Sequence, residues 1–333
     1  MSSYRNPSAS VSKVARVLVR ELQDGQAVDC VLLVREVELR RTRAGGEYLK
    51  LVLGDRTGTV PAVMWEGGPD AAAQTRCGHP ARVAGRYSVH ARYGPQLVID
   101  VLQPARDGEY DPRHLLDGPA HDVGQLERDL RSLIETIQDP HLSELLDDLL
   151  GERSPVWERY RVAPAAKYNH EAYRHGLLEH SLMVAQAVSA ISATFPGVDR
   201  DIAVTGALLH DIGKLEAYTA APDIDLTDEG RLQGEIPLGY YRVRRAIERI
   251  EGFPPALGQA VLHIILSHHG ALEHGSPVVP CTREATLVHM VDNLGGRLGS
   301  FDRLEKQLTE GQRWSSFDRV LGAGAFFAGR EAA

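Results

Sequence analysis

The sequence predicts a multidomain protein in which a small all-β barrel precedes an all-α domain. Two observations support this fold class. Residues 27–103 combine alternating apolar positions with glycine-bearing turns, a pattern typical of strands. From about residue 121 onwards, apolar residues recur at three- and four-residue steps, which is typical of amphipathic helices. The length of 333 residues suffices for two domains with separate cores.

Five strands are predicted in the N-terminal part. They are Val28–Leu39, Tyr48–Leu53, Thr59–Trp65, Ala81–His90 and Gln96–Gln103. A less regular stretch separates the third strand from the fourth. Five short strands in such a compact segment predict a small closed barrel of the OB-fold type. Alternation places Trp65 on the side of Val63, which we expect to be core.

Composition sets the predicted domain boundaries. We expect a tail at residues 1–20 with a short strand near Val14–Val19, the barrel at 21–104, a linker rich in Pro, Gly and Asp at 105–120, the helical domain at 121–322 and a frayed terminus at 323–333. Apolar runs stay short of the ~18 residues of a membrane span, and the N-terminus has no signal-like apolar core. These features predict a cytoplasmic protein without a membrane partner.

Cysteine usage and charge narrow the functional classes. Cys30, Cys77 and Cys281 lie far apart and form no CxxC pair, which argues against a disulfide framework and a thiolate zinc site and fits a reducing compartment. The net charge is −8, but residues 1–104 carry 14 Lys and Arg against 10 Asp and Glu. This pattern fits ordinary surface variation, or a mildly basic binding module joined to an acidic domain that holds metal.

Apolar periodicity predicts the helices of the second domain. One face is formed by Leu126, Leu130, Leu133, Ile134 and Ile137; further helices are predicted at Leu142–Leu150, Gly176–Thr194, Asp201–Ile212, Pro255–His269 and Arg283–Leu298, with a loop or short helices at Pro155–Lys167.

Four of these helices carry inward-facing polar residues. They are His180, His210 with Asp211, His268 with His269, and Asp292. A lone inward histidine is more often a satisfied core residue, and an isolated His-Asp pair arises by chance. Adjacent residues diverge by about 100° on a helix, so both reach one ion only near a helix end, which we expect Gly213 to provide. A buried carboxylate needs a partner, and one metal site explains all four positions.

The chemistry of a phosphohydrolase suits this set. Neutral imidazoles and carboxylates bind first-row divalent ions. Asp211 can bridge two ions, which together activate water and stabilise a leaving oxygen. Lys214 follows one helical turn after His210, where it contacts the scissile phosphate or is an ordinary exposed lysine. The order H…HD…HH…D is typical of HD-type metal-dependent phosphohydrolases.

The motifs also carry a more specific resemblance. They are GEYLKLVLGDRTGTVPAVMW at 46–65, HEAYRHGLLEHSLMVA at 170–185, DRDIAVTGALLHDIGKLE at 199–216, LTDEGRLQGEIPLG at 226–239, LSHHGALEHGSPVVPCTREA at 266–285 and HMVDNL at 289–294. In this order the chain resembles the YhaM-type 3′–5′ exoribonucleases, which join an OB-fold to an HD domain. The resemblance implies metal-dependent removal of nucleotides from the 3′ ends of RNA and often single-stranded DNA, usually supported by Mn²⁺, with Mg²⁺, Co²⁺ or Fe²⁺ as alternatives.

The resemblance also implies the ligands of one or two ions. The first ion would be held by His180, His210, Asp211 and Asp292, and the second by Asp211, His268, His269 and Glu235. At Glu235 the family usually has histidine, but a glutamate still suits a hard cation. The chain also has DNLGG where relatives tend to carry DNLDA, and His175 where a glycine is usual; no role is assigned to His175.

The barrel offers a predicted surface for single strands. In OB-folds the face of strands 2 and 3 and two connecting loops hold the ligand. Arginines that bind phosphates, beside aromatic rings that stack on bases, suit single-strand binding. The alternative is that these arginines belong to an ordinary solvated loop without a ligand. The candidates are Arg40, Arg41, Arg43, Tyr48, Lys50, Arg92 and Tyr93.

The sequence therefore favours a metal-dependent 3′–5′ exonuclease acting on single-stranded RNA, and on single-stranded DNA as a second substrate. Its alternatives are an HD phosphohydrolase of a small nucleotide and a non-catalytic nucleic-acid-binding protein with a decayed HD site. Assembly into a homo-oligomer is left open.

Overall fold

The computed structural model describes residues 17–42, 45–90, 94–106, 108–115, 118–119, 121–167, 171–220, 224–308 and 311–328. The chain separates into two compact units, Met1–Asp117 and Gly118–Ala333. Among the described residues, no helix combines the length and the apolar character that crossing a membrane requires.

The first unit is a closed five-stranded barrel. Its strands are β1 (Ala27–Arg41), β2 (Glu47–Asp55), β3 (Gly58–Met64), β4 (Pro80–His90) and β5 (Gly94–Pro104), and helix α1 (Gly68–Gln74) lies between β3 and β4. Their order around the barrel is β1-β2-β3-β5-β4, and β4 pairs with β1 to close it. Only β3 and β5 run parallel among these pairs. This arrangement confirms the predicted OB-type barrel.

Alternating side chains form the barrel core. On β2, Leu49, Leu51 and Leu53 point inward and are at most 1% exposed, while the intervening Tyr48 and Lys50 point outward. The period of two in the sequence therefore correctly identified the inner face of this strand.

The expectation that Trp65 belongs to the core is wrong. Trp65 shares a side with Val63, as alternation required, but its side chain is 53% exposed. Inward residues of β3, including Ala62 and Met64, belong to the barrel core instead. Alternation assigns the residues of a strand to its two sides, but it does not reveal which side faces the barrel core.

The structure also differs from the predicted tail and linker. Residues Val19–Glu21 form a 3₁₀ turn, in which the Val19 amide donates to Oδ2 of Asp55 at 2.7 Å. Residues 14–16 of the strand expected at Val14–Val19 lie outside the described residues, and residues 17–19 do not form a strand. Within the predicted linker, helix α2 (Pro112–Leu115) places Leu115 against Val31 and Leu33 on β1. This part of the linker packs against the barrel because Leu115 covers apolar residues there.

The second unit is mainly helical. Its helices are α3 (Val123–Ile134), α4 (Pro140–Leu150), α5 (Trp157–Tyr160), α6 (Gly176–Ser192), α7 (Arg200–Leu209), α8 (Lys214–Ala217), α9 (Asp228–Gln233), α10 (Glu235–Ile247), α11 (Pro255–Ser267) and α12 (Arg283–Gln307). Side chains of Asp139, Asp199, Thr227 and Thr282 accept backbone N–H bonds at helix starts, as N-caps do.

One apolar core joins the helices that carry the candidate residues. Helix α7 packs against α6, α11 and α12. Its Val204, Ala207 and Leu208 are fully buried in that core. Since α7 contacts all three neighbours, its C-terminal end is the point at which their polar residues can meet.

The expectation of a frayed C-terminus from residue 323 is wrong for the described part of that segment. Strands β6 (Trp314–Asp318) and β7 (Ala323–Phe326) form an antiparallel hairpin. Nη2 of Arg303 on α12 lies 2.6 Å from Oδ2 of Asp318. Arg297, which precedes Arg303 on the same helix, donates to the carbonyls of Val320 and Leu321 at 3.2 and 3.4 Å. These bonds tie the hairpin to α12.

Candidate metal centre

The His210-Asp211 pair lies in a tight turn directly after α7. Helix α7 ends at Leu209, and residues 210–213 form the turn before α8 begins at Lys214. Gly213 has φ −68°, so it does not end the helix through a left-handed conformation. A Cβ at Gly213 would lie 2.0 Å from the carbonyl oxygen of Glu235. Glycine is needed here because α10 crosses closely, and this contact keeps the turn at the centre of the helical unit.

Four side chains from α6, α12 and this turn converge on one point. Nε2 of His180 lies 3.2 Å from Nε2 of His210, 3.3 Å from Oδ2 of Asp211 and 3.2 Å from Oδ1 of Asp292. His180, His210 and Asp211 are each at most 5% exposed. The structure therefore brings together all the residues expected to hold a first ion.

His268 extends this cluster. Its Nε2 lies 3.6 Å from Oδ1 of Asp211, and ligand atoms of His210, His268 and Asp292 lie within 4.8 Å of one another. Its ring centroid is 4.9 Å from that of His210. His268 thus lies nearest Oδ1 of Asp211, whereas His180 and His210 lie nearest Oδ2.

His269 and Glu235 lie at the edge of the cluster. Nε2 of His269 is 3.8 Å from Oε1 of Glu235, and the two side chains are 28% and 24% exposed. The His269 ring is 4.3 Å from that of His268 between centroids. The structure places these two expected ligands next to each other, in a more open position than the first four.

A cavity of about 270 Å³ opens beside the cluster. Its walls include the cluster residues His180, Asp211, His269 and Asp292, together with Glu171, Lys214, Asn293, Arg297 and Val320. Nζ of Lys214 lies 2.6 Å from Oδ2 of Asp211, and the lysine side chain is 14% exposed. The alternative of an ordinary exposed lysine is therefore wrong.

The outer face of the barrel carries the predicted nucleic-acid residues that the structure describes. Arg40 pairs in register with Tyr48, and Lys50 with Val63. The rings of Tyr48 and Trp65 are stacked, with centroids 4.8 Å apart. Arg40, Tyr48 and Trp65 therefore lie in a row across β1, β2 and the end of β3, which we call the aromatic row.

The predicted arginine loop is shorter than expected. Arg40 and Arg41 belong to β1, where exposed ion pairs join Arg40 to Glu38 at 2.8 Å and Arg41 to Glu47 at 3.2 Å. Arg43, Arg92 and Tyr93 lie outside the described residues.

Comparison with known families identifies the helical unit. Residues 177–296 match the HD domain family, and this range contains every expected metal ligand. The helical unit contains an HD domain. The predicted architecture of an OB-type barrel followed by an HD domain is thereby confirmed.

Curated relatives are similar over most of the chain. The 3′–5′ exoribonuclease YhaM of Shouchella clausii (strain KSM-K16) is 29% identical over 299 residues, which are 88% of this chain and 91% of that protein. The protein of the same name from Geobacillus sp. (strain WCH70) is 28% identical over 291 residues, or 86% and 88% of the two chains. These matches confirm the predicted resemblance.

Similar solved structures cover a smaller part. The second OB-fold domain of replication protein A from Methanococcus maripaludis is 18% identical, with a TM-score of 0.24, and spans 28% of this chain and 96% of its own. PriB from Ralstonia solanacearum is 15% identical, with a TM-score of 0.21, and spans 24% and 97%.

Neighbouring charges at the candidate metal centre counteract the effect of burial on the pKa values of its residues. Burial would raise the pKa of Asp211, but Lys214 and His210 lower it well below its ordinary value. Burial would lower the pKa of Lys214, yet the Asp211 carboxylate raises it. Burial also opposes protonation of His180, but hydrogen bonds to its carboxylate neighbours raise its pKa well above the ordinary value. The imidazole thus sits where positive charge is favoured.

A divalent cation fits the donor set of the HD domain. Oδ1 of Asp211 and Nε2 of His268 are buried, and neither forms a hydrogen bond within the described part of the chain. Buried polar atoms without partners are costly, and these two face each other across 3.6 Å. A cation between them would satisfy both, and imidazole with carboxylate suits a first-row divalent ion.

Sequence reasoning missed some of the residues that line the cavity. Glu171 is buried, and its Oε2 lies 2.8 Å from Nδ1 of His180. Asn293 and Arg297 follow Asp292 on α12 and reach the cavity wall. Glu171 lies before α6, where apolar periodicity offers no signal. Asn293 diverges from Asp292 by about 100° around α12, so its adjacency to Asp292 gave no signal either.

Proposed function

We propose that this chain is a metal-dependent 3′–5′ exonuclease that hydrolyses single-stranded RNA. The convergence of His180, His210, Asp211 and Asp292 beside an open cavity supports the hydrolytic part of this proposal. The substrate and the direction of digestion follow from relatives that are named 3′–5′ exoribonucleases.

The residues that would hold the metal fall into two overlapping sets. His180, His210, Asp211 and Asp292 would bind a first ion, and Asp211, His268, His269 and Glu235 a second. Bound divalent cations supply Lewis acidity to a phosphate oxygen and to the attacking water. We propose Mn²⁺ as the ion, with Mg²⁺, Co²⁺ and Fe²⁺ as the alternatives, because the donors are imidazoles and carboxylates.

The protein groups have separate tasks in this proposal. Lys214 balances the buried Asp211 carboxylate, and its position on the cavity wall lets the ammonium contact the scissile phosphate. Bonds from the ring nitrogens to backbone carbonyls hold the imidazoles of His210 and His268 in fixed orientations. The catalytic side chains are therefore ordered before substrate binds.

The barrel would bind the strand. The exposed aromatic row combines two stacked rings with the Arg40 guanidinium, and Lys50 lies on the same face. Aromatic faces stack on any base, and cations contact phosphates, so this surface suits a single strand of any sequence. By the same chemistry we propose single-stranded DNA as a second substrate. A cytoplasmic location and homo-oligomerisation stay predictions.

Incubating the purified protein with 5′-labelled single-stranded RNA and Mn²⁺ tests the proposal. We expect a ladder of progressively shorter labelled products, loss of activity with a chelator, and recovery on adding Mn²⁺. Asp211→Asn should reduce turnover by more than the ~10–100-fold typical of losing a partner outside the ligand shell, while RNA binding is retained.

Each alternative has its own outcome. Undiminished turnover after exhaustive chelation would contradict metal dependence. Hydrolysis of mononucleotides without degradation of RNA would favour a small-nucleotide phosphohydrolase. RNA binding without any hydrolysis would favour a decayed HD site. Equal losses of binding and turnover in Asp211→Asn would contradict the separate tasks of barrel and HD domain.

A further inference from the structure

The histidines of the cluster are held in two different ways. Three of them place Nδ1 against a backbone carbonyl: His210 against Ala207 at 2.7 Å, His268 against Ile265 at 2.8 Å and His269 against His274 at 2.9 Å. His180 differs, because its Nδ1 lies 2.8 Å from the Oε2 carboxylate oxygen of Glu171. A neutral carbonyl orients the first three rings, whereas a buried negative charge faces the fourth.

The loop before α6 is built to present this carboxylate. Glu171 is 7% exposed and lines the cavity. Its φ is +61°, and among the described non-glycine residues only His175, in the same loop, also has a positive φ. Positive φ is disfavoured for side chains with a Cβ, and such strain concentrates at functional sites.

Contacts around the loop fix this conformation. The Ala165 amide donates to the Glu171 carbonyl at 3.1 Å. A Cβ at Gly176 would lie 2.1 Å from that same carbonyl oxygen. The first residue of α6 must therefore be glycine because the Glu171 backbone occupies the adjacent space.

A carboxylate on Nδ1 has two effects that a carbonyl only partly shares. It lies 2.8 Å from Nδ1 and can take the Nδ1 proton once the two side chains align, since they form no regular hydrogen bond as they stand. The Nε2 lone pair then faces His210, Asp211 and Asp292. Its charge also makes the ring a stronger electron donor to a cation at Nε2. Carboxylate–histidine–metal arrangements of this kind tune affinity in metalloproteins.

We propose that Glu171 is a positioning residue that acts through His180 and sets the affinity of the first ion site for a divalent cation. This inference rests on the metal centre of the proposed function. Glu171 would contribute through its charge, in addition to the hydrogen bond that an uncharged acceptor could also supply.

Calorimetric titration of the 333-residue chain with Mn²⁺ alone tests whether the charge of Glu171 contributes to metal affinity. Glu171→Gln keeps an amide oxygen that can accept the Nδ1 proton but removes the charge, so we expect Mn²⁺ affinity at one site to fall by about 10- to 100-fold. Glu179→Gln is the matched control, since Glu179 is a similarly buried carboxylate that accepts from Tyr173 rather than from a cluster histidine.

The outcomes separate this inference from the proposed function. Unchanged affinity in Glu171→Gln, or an equal loss in Glu179→Gln, would overturn the role of Glu171 while leaving the metal centre in place. Failure of the wild-type protein to bind Mn²⁺ would overturn the metal centre itself.

Nitrogen NMR of the protein after removal of metal by a chelator tests the interaction between Nδ1 of His180 and Glu171. The spectra are recorded at an alkaline pH at which imidazole is neutral. We expect a larger share of His180 to carry its proton on Nδ1 in the wild type and in Glu171→Gln than in Glu171→Ala, where only the carboxylates of Asp211 and Asp292 at Nε2 attract the proton. An unchanged tautomer in Glu171→Ala would contradict the positioning role. Circular dichroism spectra matching the wild type would establish that each variant is folded.

Discussion

At Glu235 the chain carries a carboxylate where an imidazole is expected from the resemblance. Its Oε1 lies 3.8 Å from Nε2 of His269, close enough for both to bind one ion after small side-chain movements. Glu235 is also the first residue of α10, where a carboxylate is favourable without any ligand role. The position thus has two physical explanations that metal binding can separate.

Substitution of Glu235 should change the second ion specifically. Glu235→Ala should lower second-ion occupancy and turnover while the first ion is retained. Glu235→His should restore an imidazole and shift preference from Mn²⁺ or Mg²⁺ towards Co²⁺, Ni²⁺ or Zn²⁺, because softer ions favour nitrogen donors. Metal stoichiometry and turnover of the three proteins across these ions are the measurement. Equal loading and equal turnover would assign Glu235 to the helix terminus alone.

Inward-facing residues were the easiest to predict. His180 and Asp292 share helix faces with buried apolar residues, so periodicity located them. Gly213 was expected to end the helix after His210-Asp211. It is needed instead because α10 approaches it closely, and this contact depends on tertiary packing. Glu171 was not predicted from the sequence because a loop residue has no periodic pattern around it. Its contact with His180 depends on the fold of the whole loop.

At the scale of elements, long patterned segments were predictable and short ones were not. The five barrel strands and the helices at 176–192 and 255–267 match their predicted positions within a few residues. The hairpin of β6 and β7 was missed because its strands are short and rich in Ser, Gly and Ala. Its attachment depends on Arg297 and Arg303, which are indistinguishable in sequence from ordinary surface arginines.

Under the proposed function, the aromatic row would make β2 and β3 the binding face of the barrel. Trp65 is 53% exposed and stacked on Tyr48, so its outer ring face is free of core packing. Loss of one stacked base costs about 1–3 kcal/mol, which corresponds to roughly a 5- to 150-fold weaker Kd. We therefore expect Trp65→Ala to weaken binding of single-stranded RNA within this range, as measured by fluorescence anisotropy.

An exposed aromatic residue on the other unit provides the control. Phe195 is 55% exposed, and Phe195→Ala should leave RNA affinity unchanged. Wild-type affinity in Trp65→Ala, or an equal loss in Phe195→Ala, would contradict the assignment of the binding face. Thermal unfolding of Trp65→Ala should change little, since the side chain lies outside the barrel core.

For the whole molecule, the uneven charge fits the proposed division between a strand-binding barrel and a metal-binding domain. Residues 1–104 carry a net charge of +4 and the rest of the chain a net charge of −12. Under the proposed function, a polyanionic strand would be attracted to the barrel, and the acidic charge of the remaining chain is compatible with metal binding. Charge along the sequence suggested this division, which stays a prediction, whereas the pairing of Arg40 with Glu38 and of Arg41 with Glu47 required the structure.

These ion pairs alter what the arginines contribute. Both are exposed pairs, which are weak and screened by salt, so a phosphate can replace the glutamate as partner. We expect replacement of Arg40, Arg41 and Arg43 by Ala to weaken binding of single-stranded RNA. The slope of log K against log salt should flatten by about 0.7 for each phosphate that the protein no longer neutralises. Hydrolysis of a dinucleotide should change little, because its one phosphodiester bond is bound at the metal centre.

A second triple variant separates local contacts from net charge. Replacing Arg76, Arg82 and Arg86 with Ala removes the same charge from the same barrel but outside the aromatic row, because Arg76 follows α1 and Arg82 and Arg86 lie on β4. If Arg40, Arg41 and Arg43 contact phosphates, only their replacement changes the salt slope. Equal flattening in both variants would mean that long-range attraction, rather than direct phosphate binding, drives association. An unchanged slope in both would contradict strand binding by the barrel and would favour hydrolysis of a small nucleotide in the HD domain.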